Sequence, residues 1–174
     1  NLKAEQIFLD ALGVLYTSIY DLKNNIKSDS SRPISYNENE CVKLSLNQSN
    51  NNTYELLVDN ENHTIGNLLI NYLNDYNDSL SSDMRIEFIS YAQPHPLKNK
   101  IVFKFITKIG SKLIFKMLNE TFLIILKDIE ELGNQYLKIL KEQFKYVLDE
   151  SLNFYSGFNF PEFMYYISFR VDPQ

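Results

Sequence analysis

Two histidines, one cysteine and a group of carboxylates are the residues of this chain whose types could carry chemistry. Cys41 could act as a nucleophile if His63 or His95 served as its base. Cys41 lies in a run of alternating apolar residues, however, and that pattern favours a side chain packed in a strand. The histidines have no cysteine partners at the spacing of a structural zinc site. Each histidine is more typical of a residue that fixes a turn by hydrogen bonding.

The carboxylates Asp128, Glu130 and Glu131 interrupt an apolar stripe, as the solvated face of a helix does. That arrangement disfavours a general acid–base pair. Gly110-Ser111-Lys112 is typical of a helix start and lacks the glycine spacing that cradles a phosphate. We therefore expect no catalytic residue, no metal site and no cofactor, and we predict that the chain is not an enzyme by itself.

Composition narrows the class of protein further. The chain has 174 residues, 44% of them hydrophobic, which is enough for one core. Its single cysteine excludes an internal disulfide framework and favours a reducing, intracellular compartment. The net charge is −5, from 17 basic and 22 acidic residues, whereas a domain that grips duplex DNA usually presents a basic face. We expect little or no direct nucleic-acid contact and no membrane segment.

The first half of the chain contains one predicted helix and two predicted strands. Leu2–Lys27 is amphipathic, because its apolar residues recur at three- and four-residue steps. The polar stretch 28–39 indicates a linker. Alternating apolar residues predict strands at Cys41–Asn47 and Thr53–Asp59, and the polar turn Gln48–Asn52 would join them as a hairpin.

The second half repeats the strand pattern around a helix and ends in a longer helix. The predicted elements are a helix at Thr64–Tyr76, a polar loop at Asn77–Asp83, strands at Arg85–Ala92 and Lys100–Thr107, and a long helix with Ser111 as its N-cap. The long helix carries a continuous apolar stripe, and Phe122–Leu126 is apolar all round, which is typical of burial on two opposite sides. The fold class is therefore α+β: a small antiparallel four-stranded sheet (β-β-α-β-β) covered by a long C-terminal helix, with the N-terminal helix packed against it.

Two short motifs flank the third predicted strand. Asn60–Leu69 reads Asn-Glu-Asn-His-Thr-Ile-Gly-Asn-Leu-Leu, and Tyr91–Leu97 reads Tyr-Ala-Gln-Pro-His-Pro-Leu. In the first motif, Thr64 is predicted to cap a helix, and Gly66 would let the first turn pack closely against a bulky group. In the second, two prolines hold the chain extended and present His95 in a fixed direction. These are features of a shaped surface and not of an active site.

In this order and at this separation, the two motifs resemble the signature of the α-like RNA polymerase subunits. The resemblance is strongest to the smaller partner, the eleventh subunit of eukaryotic RNA polymerase II and subunit L of archaea, and it covers about residues 41–145. It implies a non-catalytic assembly and dimerisation subunit of a multisubunit DNA-directed RNA polymerase that also contacts the two largest subunits. Asn62 departs from the family's acidic residue. The residues that the resemblance marks for assembly are His63, Thr64, Gly66, Asn67, Leu68, Tyr91, Pro94, His95, Pro96 and Leu97.

The N-terminal helix carries a second resemblance. The run Ala4–Leu12, with Leu15 and Leu22, resembles the C-terminal helix of the larger α-like partner, which is the third subunit of the eukaryotic enzyme or its archaeal counterpart. Both partners in one chain imply the C-terminal part of a third–eleventh subunit fusion from a large DNA virus of the mimivirus or asfarvirus kind. The protein would then lie in the host cytoplasm, viral factory or virion, or in the nucleus if it is cellular. The two long helices should meet in a helix seam formed by Phe8, Leu12, Leu15, Ile19, Phe122, Ile125, Ile129 and Leu132.

The expected organisation has four segments: a partner-like helix at 1–27, a linker at 28–39, a dimerisation domain at 40–150 and an aromatic extension at 151–174. The extension leaves a second hypothesis open. The chain could be a small α+β adaptor that binds a peptide or helix through this aromatic tail. Such a tail more often packs on its own domain than it forms a binding site.

Overall fold

The structure is a computed structural model, and it describes residues 4–25, 44–50, 52–97 and 99–143. Cys41, the predicted linker 28–39 and the aromatic extension 151–174 lie outside the described residues. The elements are α1 (Ala4–Asn25), β1 (Leu44–Asn50), β2 (Thr53–Asp59), α2 (His63–Ser79), a short 3₁₀ helix (Ser82–Met84), β3 (Phe88–Ala92), β4 (Lys100–Ile106) and α3 (Ser111–Gln143). The α+β class and the long last helix are confirmed. Within the described residues, no helix is long and apolar enough to cross a membrane.

The strands form an antiparallel sheet in the order β1-β2-β4-β3. Alternate residues of the two central strands are buried, as the period-two pattern of the sequence predicts. The buried residues lie directly opposite one another, with Leu56 paired to Phe103 and Val58 to Ile101. One face of the sheet therefore carries the core, and cross-strand pairs of large apolar side chains stabilise it.

The opposite face of the sheet is more polar. Glu55 lies directly across from Lys104, and the Lys100 Nζ is 3.3 Å from the Asp59 Oδ1. Opposite charges that face each other across a strand pair favour this register, because a one-residue slip would move them to the core face.

The chain divides into two compact units, and the division falls within both long helices. One unit contains residues 21–123 and the other contains residues 1–20 and 124–174. The 21–123 unit includes the sheet, α2 and the first part of α3, where Ile114, Leu118 and Phe122 are fully buried. These three residues recur at four-residue steps, so the first half of α3 presents one apolar side to the core of its unit.

In the other unit, α1 packs along the second half of α3. The rings of Phe8 and Tyr136 lie 4.4 Å apart between centroids, and the Tyr16 hydroxyl donates to the Glu130 Oε1 at 2.8 Å. Glu130 is therefore part of this contact, although the sequence pattern placed it on a solvated face. Burial of Tyr16, reinforced by its bond to Glu130, raises the pKa of the phenol to about 12.

Several predicted boundaries around α2 and β3 were wrong. Asn77 belongs to the last turns of α2, because this helix continues to Ser79 where a polar loop was expected. The Asn77 side chain donates to the Ile86 carbonyl at 3.0 Å and accepts from the Ile86 N–H at 2.8 Å. The Asn77 amide thus bonds both backbone groups of Ile86 and fixes the connection between α2 and β3. Strand β3 starts only at Phe88, three residues later than predicted.

Two other predicted boundaries also shift. β1 continues to Asn50, so the polar residues Gln48–Asn50, expected in a turn, pair within the sheet. Ser111 is the first residue of α3 and not its cap; Gly110 precedes it with φ of 95°, a conformation that glycine adopts without strain.

The apolar stripe of α3 is narrower than the sequence suggested. Leu123 and Ile124 are exposed, so Phe122–Leu126 is not buried on two opposite sides. Leu132 was expected in the helix seam, but it is exposed, while Gly133 is buried. Four residues advance a helix by slightly more than one turn, so position 133 lies on nearly the same side of α3 as Ile129. Leu132 lies further round the helix, outside the buried side.

Candidate functional site

Helix α2 begins at the first motif, and Asn62 is the residue that caps it. Asn62 has extended backbone angles, and its Oδ1 accepts from the Thr64 N–H at 2.8 Å. Its carbonyl also accepts from the Gly66 N–H at 3.0 Å. Thr64 was predicted as the cap, but it lies inside the first turn. The capping role falls to Asn62 because a short side chain two residues before the free N–H reaches it directly.

Tyr91 joins the second motif to the first. It lies on β3 directly across from Phe103, and the two rings are 5.6 Å apart between centroids. On its other side the ring lies against Gly66 of α2. A Cβ at position 66 would lie 2.8 Å from the Tyr91 Cδ2 and closer still to its Cε2. The glycine is therefore required by the close approach of an aromatic ring, as the sequence predicted in general terms.

The Tyr91 hydroxyl is also held by α2. It donates to the Asn67 Oδ1 at 2.6 Å and lies 3.3 Å from the His63 Nδ1. Because the hydroxyl has one hydrogen and gives it to Asn67, His63 fits as the donor to the phenol oxygen through Nδ1–H. We refer to His63, Gly66, Asn67, Tyr91 and Phe103 as the Tyr91 cluster. It locks the first turns of α2 onto the edge of the sheet.

The rest of the second motif forms an exposed turn. Pro94, His95, Pro96 and Leu97 all face solvent, and Leu97 is 88% exposed. The Leu97 N–H donates to the His95 Nδ1 at 3.1 Å. Since that nitrogen accepts, the neutral ring carries its proton on Nε2. The bond and the two prolines fix this turn, which we call the Pro94–Leu97 turn.

The remaining predicted assembly residues are placed around the start of α2. Thr64 is exposed, and Leu68 is half-buried. Glu61, which could replace the family's acidic residue absent at Asn62, lies just before the cap and is only 8% exposed, and the sequence did not predict that burial. Burial, and secondarily the charge of Asp21, raise the pKa of Glu61 to about 7. The sequence did not predict this burial, because an acidic residue just before a helix is usually exposed to solvent.

The predicted helix seam is distributed over both units. In the unit that contains the start of α1, Leu12, Ile19, Ile125 and Ile129 are buried. Phe8 and Leu15 are half-buried, and Phe122 belongs to the other unit. Among the described residues, no group of three or more histidines, cysteines or carboxylates could hold a metal ion. The clustered side chains are suited to packing and recognition.

Part of the chain is similar to known proteins. Residues 53–135 match the family described as RNA polymerase Rpb3/Rpb11 dimerisation domain. The chain is 36% identical over 66 residues to DNA-directed RNA polymerase subunit Rpo11 of Sulfurisphaera tokodaii, which covers 38% of this chain and 63% of that protein. It is 35% identical over 66 residues to the Rpo11 subunit of Saccharolobus shibatae, covering 38% and 64% respectively. The chain thus spans slightly less than two thirds of the curated relatives it matches.

Proposed function

We propose that this chain is a non-catalytic assembly subunit of a multisubunit DNA-directed RNA polymerase, and that it pairs with an Rpb3-like partner. The observation that carries this proposal is the match of residues 53–135 to the Rpb3/Rpb11 dimerisation domain. The matched segment contains both motifs, and Tyr91 connects them physically through Gly66 and Asn67.

The two parts of the proposed site have different roles. The side chains of the Tyr91 cluster form their hydrogen bonds with one another, so the cluster stabilises the shape of the domain. The Pro94–Leu97 turn leaves a histidine and a leucine exposed in a fixed conformation. A fixed turn with an exposed apolar tip loses little conformational entropy on binding, and that favours recognition by a partner. We assign this turn to contact with the large polymerase subunits.

The proposal extends to α1. We infer that α1 is the counterpart of the C-terminal helix of an Rpb3-like protein and that the chain derives from a fusion of the two partners. The contacts of Phe8 with Tyr136 and of Tyr16 with Glu130 support it, because they pair α1 with α3 within one compact unit. The abundance of asparagine, isoleucine, lysine, tyrosine and phenylalanine fits an AT-rich genome and supports a large-DNA-virus source. The full reading frame upstream of Asn1 tests the fusion: it should encode an Rpb3-like sheet.

Affinity purification tests the function. The tagged full-length protein, expressed in its native host cell, should recover the two largest RNA polymerase subunits, identified by mass spectrometry. His95→Ala should lower that recovery while leaving the melting temperature nearly unchanged, because His95 is exposed. Asn71→Ala, an exposed position on α2, is the matched control. Recovery of no polymerase subunit by the unaltered protein would contradict the proposal.

A further inference from the structure

The sheet has a second face, opposite the one that carries the core, which we call the outer face. Its centre is formed by Glu55 and Leu57 on β2 and by Val102 and Lys104 on β4. These residues alternate along their strands with the buried residues, so their side chains point away from the core. Glu55, Leu57 and Val102 are half-buried and Lys104 is exposed, so solvent reaches the centre of the outer face.

The pairing of β2 with β4 arranges the outer face in rows that run across the strands. Leu57 lies opposite Val102 in an apolar row, and charged rows lie on both sides of it. In one of them, Asp59 already forms an ion pair with the β4 lysine opposite. In the other, Glu55 lies opposite Lys104, but the ion pairs of the described residues include neither of them. This second row therefore presents one acidic and one basic group that are available to another molecule.

A second copy of this chain carries the complement of that row. A two-fold axis parallel to the strands, midway between β2 and β4, places β2 of each copy over β4 of the other at the same level. Glu55 of each copy then faces Lys104 of the other, and Leu57 faces Val102. A two-fold axis across the strands would instead place β2 over β2 and bring like charges together, because both charged residues of β2 on this face are acidic.

We propose that the outer face is a self-association surface, on which a second copy of this chain docks sheet against sheet. Leu57 and Val102 form the apolar centre of the contact, and the reciprocal pairs between Glu55 and Lys104 fix its register. Sheets that pack face to face lie about 10 Å apart and keep their strands within about 30° of each other, which an axis parallel to the strands allows. One acidic and one basic group on the same surface make the contact self-complementary, as a two-fold interface requires.

The size of the outer face indicates a weak contact. Four strands of up to seven residues cover about 19 Å by 23 Å, or about 440 Å² for each copy. A standard stable interface buries about 800 Å² per partner, so the pair should form reversibly, with a Kd of about 10–100 µM. The contact does not rest on the polymerase assignment, because its occupant is the chain itself.

Sedimentation equilibrium of the full chain, at concentrations of about 5 to about 500 µM, measures this self-association. We expect a monomer at the lowest concentration and mostly dimer at the highest. Glu55→Lys and Lys104→Glu should each raise the dimer Kd at least about tenfold, because each brings like charges together at both reciprocal contacts. Lys116→Glu reverses an exposed charge on α3 and should leave the dimer Kd unchanged.

A mixture of the two charge variants distinguishes a contact between copies from an effect within one chain. In a mixed pair, the two basic positions of the Glu55→Lys chain face the two acidic positions of the Lys104→Glu chain. The equimolar mixture should therefore dimerise at concentrations at which each variant alone is monomeric, and the mixed dimer should weaken as salt rises. The double variant, Glu55→Lys with Lys104→Glu, exchanges the two charges and should dimerise like the unaltered chain.

Three results would overturn the proposal. A monomer at every concentration of the unaltered chain would exclude self-association, and unchanged dimerisation of Glu55→Lys would assign the dimer to another surface. Failure of both the mixture and the double variant to dimerise would show that the two charges do not meet across the contact. The polymerase assignment fails separately, because its readout is recovery of the large subunits, which a solution of the purified chain does not contain.

Discussion

The Tyr91 cluster and the Pro94–Leu97 turn belong to one stretch of sequence but differ in almost every physical property. In the cluster, Tyr91 packs on Phe103, fills the space above Gly66 and is hydrogen-bonded to Asn67. In the turn, three residues further on, all four side chains are exposed. The His95 ring accepts a hydrogen bond from the Leu97 N–H, within the turn itself.

One short motif therefore encodes two tasks. Up to Tyr91 its residue types are set by the space inside the domain, where a change in volume costs stability. After Tyr91 they are set by the shape that the turn presents to solvent. Substitutions in the two parts should therefore separate cleanly into those that change the free energy of unfolding and those that change partner binding.

Gly66→Ala should give the largest loss of stability. The new Cβ would overlap the Tyr91 ring, which Phe103 and Asn67 hold in place, so either the ring or the helix must move. We expect the free energy of unfolding, measured by urea denaturation, to fall by about 2–3 kcal/mol.

The matched control for this prediction is the same change without the ring. In a Tyr91→Leu background, Gly66→Ala should cost much less, and could even stabilise, since alanine favours a helix over glycine by about 1 kcal/mol. An equal loss in both backgrounds would mean that the ring is not what requires the glycine.

Glu61→Gln should show that a buried group near the Tyr91 cluster can also destabilise the fold. The folded pKa of Glu61, about 7, lies above its ordinary value of 4.5, so folding disfavours the ionised form. The unaltered protein should lose stability as the pH rises from about 4.5 to about 7 and not regain it above. We expect the variant to be more stable by about 1–2 kcal/mol at pH 8 and no different at pH 4.

Thermal melting at the two pH values measures this effect. Asp75→Asn removes an exposed carboxylate from α2 and should change stability by less than about 0.5 kcal/mol at either pH. A gain from Glu61→Gln that is equal at pH 4 and pH 8 would show that ionisation of this buried group is not its cause.

Tyr91→Phe tests the polar part of the cluster. The ring would keep its packing on Phe103 and Gly66, while the bond to Asn67 and the contact with His63 would be lost. We expect a loss of about 1 kcal/mol by urea denaturation, the usual net value of one hydrogen bond. Tyr76→Phe, on α2 but outside the cluster, should have a smaller effect. An equal loss from both would assign the effect to hydroxyl removal in general.

The features that the sequence predicted are those that repeat along the chain. The sequence predicted strands at Thr53–Asp59 and Lys100–Thr107. In the structure Leu56, Val58 and Phe103 are buried, because a strand places every second side chain on the same face. The need for a small residue at position 66 also followed from a local pattern. What it faces could not be predicted, since Tyr91 lies 25 residues away in sequence and reaches Gly66 only through the pairing of β3 with β4.

The features that sequence reasoning missed depend on single side-chain choices. Asn62 and Thr64 are both good capping residues, and only the backbone geometry decides between them. Leu132 is apolar and Gly133 carries no side chain, so residue type alone predicted burial of Leu132, whereas the structure buries Gly133. Glu61 is buried and feels the charge of Asp21 on the distant helix α1, and neither effect has a local sequence pattern.

Leu97→Ser should have the smallest effect on stability and the clearest effect on partner binding. Leu97 is almost fully exposed, so its removal takes little apolar surface out of a core, and the free energy of unfolding should change by less than about 0.5 kcal/mol. If the Pro94–Leu97 turn contacts a large polymerase subunit, loss of an apolar anchor should lower recovery of that subunit about tenfold. Ile109→Ser, an exposed apolar residue just before α3, is the matched control and should leave recovery unchanged. Equal recovery by the unaltered protein and Leu97→Ser would remove this leucine from the interface. A loss of stability comparable to that of Tyr91→Phe would instead mean that the turn, like the cluster, serves the fold.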